Sequence, residues 1–384
     1  MNPIFKAAND YGSQTMFDMS LGEDLSLIQD QVRHFSTRVL HERHREFEER
    51  HAVPEAVVAE FTALGLAGLE LPETLGGAGL GALAKVLVLE ELGAGDPGAT
   101  LALDGLGAAL YPLAELGGLA AIETYAVPLL DKPEARALLV WGDSERPGGK
   151  RKPLCGARTC DGVTPWVPAQ HADLVVVLDR EGAAVVDSGL RFTPLKGSGL
   201  RAAGAAQLDF IDAPIRERWL DRAGAARALA RWQLHTAALM VGLMRTAAET
   251  SREYAMQRVA FGKPIAHHQA LAFLIADMRS AVDATRILVQ EAAWRADRGL
   301  PFTGAAATAF VEAVEASMFV TPNALQIFGG QGFMQDLPLE KYLREARTLG
   351  LLAGGVDLAR DIAGTEVTTS SDGFALSPIL AEES

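Results

Sequence analysis

A long run of helical periodicity after residue 221 limits the fold of this chain more than any other feature of its sequence. Mainly apolar residues recur there at spacings of three and four, namely Leu229, Trp232, Thr236, Met240, Leu243 and Ala247. Such spacing places them on one face of an amphipathic helix. Further long helices are predicted around 267–298, 304–328 and 337–363, and helices of this kind pack as an up-down bundle. We therefore predict a C-terminal four-helix-bundle domain over residues 221–384.

The remaining chain divides into a helical part and a β-rich part. Residues 1–20 predict a loose arm, after which helical spacing begins, so we expect an N-terminal α domain over residues 1–130. Short apolar runs separated by Gly, Pro and Asp then predict strands at 138–141, 173–178, 183–186 and 207–211. These strands predict a small middle β domain over residues 131–220. The expected fold class is α+β, mostly α.

Composition and charge exclude several classes of protein. Apolar residues make up 49% of the 384 residues, which favours a well-buried fold over disorder. The formal net charge of −14 argues against nucleic acid or an anionic membrane as a partner. We find no signal peptide and no apolar run of about 18 residues, so we expect a cytoplasmic protein. Cys155 and Cys160 are predicted to be reduced thiols, and no metal site is predicted.

A glycine-containing segment, Gln326–Ala346, is the first candidate for a binding site. Gly329, Gly330 and Gly332 permit positive φ and close approach of a ligand to the backbone. We expect Asp336 to cap the helix that follows, with Pro338 in its first turn. A turn that feeds a helix N-terminus suits a phosphate or pyrophosphate group. On spacing alone, a tight interhelical turn without a ligand is the alternative.

A second segment lies upstream, Arg258-Val-Ala-Phe261-Gly-Lys, followed by Gln269. The two segments together resemble motifs of the acyl-CoA dehydrogenase family, and the α, β, α order agrees with that resemblance over nearly the whole chain. In that family the arginine segment lies against FAD, and the glycine segment reaches FAD from a neighbouring subunit. The resemblance implies FAD as cofactor, an acyl-CoA substrate, electron-transfer flavoprotein as electron acceptor, and a homotetramer.

The resemblance assigns individual residues to the cofactor. Arg258 is expected on the pyrophosphate, because a guanidinium meets phosphate oxygens in a bidentate, charge-assisted way. Phe261 is expected to wall the cofactor and Gln269 to bond its adenosine side, although both residues also suit ordinary packing. Gln326, Gly329 and Gly330 are expected to serve the FAD of an adjacent subunit.

The flavin ring has a less complete set of matching residues. Trp166, in the run Trp166-Val-Pro168, is expected beside the ring, as is the run Ser144–Gly149. Pro168 has neither a hydroxyl nor a backbone N–H, so one flavin contact is missing. A weaker hold on the ring is therefore expected.

The resemblance breaks at the catalytic base. A carboxylate removes the α proton in most of the family, in a Glu-Gly-[TS] turn that here reads Ala353-Gly354-Gly355. Some members carry the base on the earlier long helix, where Trp232 stands instead. His235 is the nearest titratable substitute on that helix, although a lone helical His is more often a core residue. Asp357 is a second candidate of the same kind.

Three functions fit these observations. The first is an acyl-CoA dehydrogenase-type flavoprotein that transfers a hydride from a fatty or ring-derived CoA thioester to FAD, as a base-lacking subunit of a mixed assembly with a base-bearing paralogue. The second is a flavin-dependent monooxygenase or oxidase on the same scaffold, because fold does not determine chemistry. The third is a non-catalytic scaffold subunit without FAD.

Overall fold

The computed structural model describes residues 22–130, 132, 134–145 and 151–369. The arm predicted over residues 1–20 and most of the predicted flavin-contact run Ser144–Gly149 lie outside them. The N-terminal helices are α1 (Glu23–Phe35), α2 (Glu42–Arg50), α3 (Glu55–Ala63), α4 (Ala82–Gly95), α5 (Pro97–Leu103), α6 (Leu110–Pro112), α7 (Gly118–Ala121) and α8 (Val127–Leu130). Wider π-helical turns at Ser36–His41, Leu113–Gly117 and Ile122–Ala126 connect several of them.

A β-sheet follows the N-terminal helices. Its strands are β1 (Ala137–Trp141), β4 (Thr159–Val167), β5 (Leu174–Leu178), β6 (Gly182–Val186), β7 (Leu190–Pro194) and β8 (Ala206–Leu220), and a separate hairpin joins β2 (Asp143–Glu145) to β3 (Arg151–Pro153). The strand order is β1-β5-β6-β8-β4, with β7 also on β8. Only β1 and β5 pair in parallel among these described strands. The long β8 therefore holds both halves of the sheet together.

The C-terminal part is helical. It contains α9 (Arg222–Gln257), the short hairpin β9 (Val259–Ala260) and β10 (Lys263–Pro264), α10 (Gln269–Asp297), α11 (Thr303–Ile327), α12 (Leu339–Leu349) and α13 (Gly355–Thr369). The predicted architecture of helices, sheet and helical bundle is confirmed. The single helix expected over 337–363 is wrong, because Ala353, Gly354 and Gly355 all take positive φ and separate α12 from α13.

Helix α9 lies at the centre of the molecule and packs closely on α4. A Cβ placed on Gly242 would lie 2.0 Å from the Glu90 carbonyl oxygen, and one on Gly93 would lie 2.4 Å from the Leu239 carbonyl oxygen. The two backbones are therefore in direct contact, which only glycine permits. This contact fixes the N-terminal helices against the bundle.

The two cysteines form a disulfide, so the prediction of reduced thiols is wrong. Cys155 and Cys160 pair across an antiparallel bridge with their Cα atoms 4.0 Å apart. The turn between them closes through a hydrogen bond of 2.8 Å from Gly156 N–H to the Thr159 carbonyl. A spacing of five residues does not by itself reveal that the chain reverses here.

One helical run bears on the expectation that the chain has no apolar run of membrane-spanning length. Among the described residues, one continuous helical run, Gly107–Leu130, is long and apolar enough by length and composition. Glu115 and Glu123 interrupt its apolar residues, so a search for uninterrupted runs missed it. The run contributes Leu110 and Ile122, among others, to the largest hydrophobic core.

Candidate functional site

The predicted cofactor segment after α9 forms an exposed hairpin. Phe261 and Gly262 have φ of 51° and 79°, the two positive values that a two-residue β-hairpin turn requires. Phe261 is 95% exposed at the tip, and its ring meets the His268 ring edge-on at 6.0 Å. Arg258, at the C-terminal end of α9, and Gln269, the first residue of α10, are exposed at the base of the hairpin. The structure therefore groups these three predicted residues on one surface.

The glycine segment follows α11. Gln326, Gly329 and Gly330 are exposed, and a Cβ on either glycine would meet nothing within 4 Å. Gly329 has a φ of 58°, whereas Gly332 is needed for packing, because a Cβ there would lie 2.3 Å from the Leu325 carbonyl oxygen. The surface beside Gly329 and Gly330 is thus open to another molecule.

The next helix begins later than predicted. It starts at Leu339, with Pro338 in the N-cap position and no side-chain cap. The expectation that Asp336 caps this helix is therefore wrong. Asp336 lies in the turn that precedes it.

The two cofactor segments lie at the same end of the bundle. Tyr254, in the last turn of α9, stacks on Phe328 with ring centroids 4.1 Å apart and an interplanar angle of 16°. The Tyr254 hydroxyl also donates to Gln331 Oε1 at 3.4 Å. A stacked pair of this kind holds the arginine segment and the glycine segment together within one subunit.

The turn that carries Ala353 lies elsewhere. Ala353 is fully buried with a φ of 54°, and Gly354 and Gly355 follow with φ of 80° each. A Cβ on Gly354 would lie 3.7 Å from Leu229 Cδ1, so the turn packs against the first third of α9. Trp232 is buried one turn further along that helix.

Trp166 is connected to the same region through the loop before β8. A Cβ on Gly197 would lie 3.6 Å from Trp166 Nε1, and one on Gly199 would lie 2.2 Å from Thr348 Oγ1 at the end of α12. Trp166 and the Ala353 turn therefore belong to one region of the fold.

One chain keeps its two groups of predicted residues far apart. Leu229 touches the Ala353 turn and Gln257 ends α9 next to Arg258, so 28 helical residues separate the two groups along this helix. At about 1.5 Å per residue, that separation is about 42 Å. This length exceeds an extended FAD molecule. Arg258 and Ala353 of a single chain thus do not meet at one cofactor.

His235 faces away from the Ala353 turn. It lies six residues after Leu229, which rotates it by about 120° around the helix. The Tyr111 hydroxyl lies 3.0 Å from His235 Nδ1. Burial, and then the positive charge of Lys85, lower the pKa of His235 to about 3. This placement argues against His235 as a substitute base. The Asp357 side chain is exposed to solvent, which argues against Asp357 in the same role.

Sequence reasoning missed a set of buried polar residues in the first third of α9. Arg231 pairs with Glu70, and its guanidinium carbon lies 4.9 Å from the centre of the Tyr111 ring. Gln233 is fully buried, and neither its Oε1 nor its Nε2 has a partner among the protein atoms described. The available signal was the presence of two polar residues beside Trp232 in an otherwise apolar stretch.

Comparison with known proteins identifies the family. The model of the acyl-CoA dehydrogenase N-terminal domain matches residues 22–132, and the model of the acyl-CoA dehydrogenase C-terminal domain matches residues 224–368. The chain belongs to the acyl-CoA dehydrogenase family. A similar relative is the mitochondrial short-chain specific acyl-CoA dehydrogenase of Bos taurus, which is 28% identical over 371 residues, 89% of each chain.

Solved structures agree with this assignment. A chain from the electron transferring flavoprotein of Acidaminococcus fermentans is 25% identical, with a TM-score of 0.79 over 92% of this chain and 100% of that chain. PigA with FAD and proline is 23% identical, with a TM-score of 0.80 over 92% of this chain and 99% of that chain, and this likeness concerns the fold alone. Acyl-CoA dehydrogenase homologues bind FAD.

Proposed function

We propose that this protein binds FAD and a CoA thioester in a site built from two subunits, and that it acts as a base-lacking subunit in α,β-dehydrogenation. The separation of about 42 Å along α9 carries this proposal. The Ala353 turn with Trp166 forms one half of the site, and the surface around Arg258 forms the other. In a two-fold symmetric pair, the Ala353 half of each subunit meets the Arg258 half of the other, so the pair contains two complete sites.

The residues present fit the cofactor. The Arg258 side chain is exposed and makes no ion pair within the described part of the chain, so its guanidinium is free to meet a pyrophosphate. The open surface at Gly329 and Gly330 allows a ligand to approach the backbone. When bound, FAD supplies the hydride acceptor of the reaction.

The chain itself supplies binding and orientation. The family resemblance assigns the backbone N–H of residue 353 to the thioester carbonyl, where a donor acidifies the α proton, and Ala353 keeps that N–H. The methyl group of Ala353 cannot accept that proton. Loss of a general base costs about 10²–10⁴ in rate, so we expect slow turnover by this chain alone and faster turnover with a base-bearing paralogue.

The proposed substrate and acceptor follow the relatives. The Bos taurus relative is named for short-chain acyl-CoA, so short acyl chains are the first to test. The Acidaminococcus fermentans match supports electron-transfer flavoprotein as the acceptor. A homotetramer, or a mixed oligomer with a paralogue, satisfies the two-subunit site.

Complementation between two variants tests the composite site. Arg258→Ala removes a charge-assisted bond worth about 1.5–3 kcal/mol, so FAD affinity should fall by about one to two decades. Trp166→Ala weakens the opposite half. Subunits of the two variants, unfolded and refolded together, should regain FAD at one site per mixed pair, measured by flavin absorbance per subunit after gel filtration.

A matched control uses two variants of the same half. Arg258→Ala mixed with Gln269→Ala should regain nothing, because neither mixed site then has an intact Arg258 half. Equal FAD in both mixtures, or FAD binding by a monomer, refutes the two-subunit site. A wild-type protein that is colourless and cannot be reconstituted with FAD refutes the flavoprotein proposal and favours the scaffold function.

A further inference from the structure

A small polar cavity lies between α4, α6 and α9, away from the Ala353 turn. Its polar lining comes from Glu70, Lys85, Tyr111, Arg231 and His235. All five residues are less than one tenth exposed. The cavity has a volume of about 10 Å³, which is room for a single water molecule.

Two polar atoms of the residues that line this cavity have no protein partner. Glu70 uses Oε1 to pair with Arg231, whereas Glu70 Oε2 is buried and makes no hydrogen bond to the described protein atoms. His235 uses Nδ1 for Tyr111, and its Nε2 is likewise buried without a protein partner. Buried polar atoms are nearly always hydrogen-bonded. A shared ligand for these two atoms satisfies that requirement.

The position of the Tyr111 proton determines what this ligand must offer. The phenol oxygen lies 3.0 Å from His235 Nδ1, and the hydroxyl has no other hydrogen-bond partner among the described protein atoms. The phenol is therefore the donor of this bond and Nδ1 the acceptor. A neutral imidazole then carries its proton on Nε2, so Nε2 needs an acceptor, whereas Glu70 Oε2 needs a donor.

We propose that one water molecule occupies this cavity, accepts a hydrogen bond from His235 Nε2–H and donates one to Glu70 Oε2. Water is the smallest ligand that offers both a donor and an acceptor. The bound water completes a hydrogen-bonded junction that joins α9 to α4 and α6. It also holds His235 neutral in the Nε2–H tautomer.

A crystal structure of the wild-type protein that shows ordered waters tests the site directly. We expect one density peak between about 2.6 and 3.2 Å from both Glu70 Oε2 and His235 Nε2. An empty cavity, or a direct hydrogen bond between Glu70 and His235, overturns the proposal. Because the experiment uses the unmodified protein, no variant has to fold.

Nitrogen NMR of the protein labelled with ¹⁵N-histidine tests the proton arrangement independently. The chain has eight histidines, and His235→Gln identifies the signal of this ring by its loss, with exposed His171→Gln as the matched control. We expect an unprotonated Nδ1 and a protonated Nε2, unchanged between about pH 5 and pH 8 because a neutral buried ring does not titrate there. An Nδ1–H tautomer, or an imidazolium, overturns the proposed water bonds.

Discussion

The Asp297 carboxylate, at the end of α10, caps a helix of the N-terminal part of the chain and gives a test of how the two parts are joined. It accepts hydrogen bonds from Ala82 N–H at 2.6 Å and Leu83 N–H at 3.0 Å, in the first turn of α4. Gly81 leaves room for it, since a Cβ there would lie 2.3 Å from Asp297 Oδ1. The negative charge also meets the positive end of the α4 dipole.

Burial nevertheless makes this carboxylate unusually basic. Burial raises the pKa of Asp297 from 3.8 to about 6, and the bonds from Leu83 and Ala82 only partly offset it. The folded protein therefore binds this proton more tightly than the unfolded chain does. The contribution of Asp297 to stability is complete below about pH 4 and is lost as pH rises to about 6. Two pKa units correspond to about 3 kcal/mol.

Asp297→Asn removes this titration. The free energy of unfolding of the variant, minus that of the wild type, should therefore rise by about 3 kcal/mol between about pH 4 and pH 7. Urea unfolding at one fixed protein concentration measures the difference, because assembly makes stability depend on concentration. The exposed Asp277→Asn on the same helix is the control and should show no such change. A difference that stays constant with pH, or that moves in favour of the wild type, refutes the reasoning.

Three further changes have clear expected outcomes. Gln233→Met should raise the urea unfolding free energy by about 1–3 kcal/mol, since it removes two unpartnered buried polar atoms; a loss of stability would show that a ligand or water satisfies the amide. Gly242→Ala should cost about 1–3 kcal/mol or more by thermal unfolding, because it separates α9 from α4, whereas Gly364→Ala, where a Cβ meets nothing, should not. Ala353→Glu should speed anaerobic bleaching of bound flavin by butyryl-CoA up to about 10²–10⁴-fold, and rapid bleaching by the wild type would reveal another base.

Local patterns in the sequence predicted most of the elements. Helical spacing predicted a long helix after residue 221, where α9 lies, and it located α10 and α11 within about two residues of their observed ends. The apolar runs at 138–141, 173–178 and 183–186 became β1, β5 and β6. The sequence analysis missed β4 and β7, because Gly162 and Pro165 interrupt β4 and β7 is mostly exposed. A strand with few buried residues leaves little apolar pattern to detect.

The geometry of the candidate site depended on contacts between distant parts of the chain. The sequence identified Arg258, Gln326 and Ala353, but it did not show that the first two share one end of the bundle and the third lies near the other. That division follows from the unbroken length of α9 and from the stacking of Tyr254 on Phe328. Likewise, the bond between Asp297 and Ala82 spans 215 residues. Periodicity describes single elements and contains no information about such pairs.

The backbone conformation of Ala353 determines what the Ala353→Glu variant can measure about the missing base. An L-residue in the left-handed region costs roughly 1–2 kcal/mol, whereas Gly354 and Gly355 adopt positive φ without that cost. Ala353 nevertheless holds a φ of 54° while fully buried, so the packing between the end of α12 and the start of α9 imposes this conformation. We therefore expect the turn to keep its backbone conformation in Ala353→Glu, although the buried site must also accommodate a longer side chain. For that reason the rate that this variant restores is a lower limit on what the base contributes.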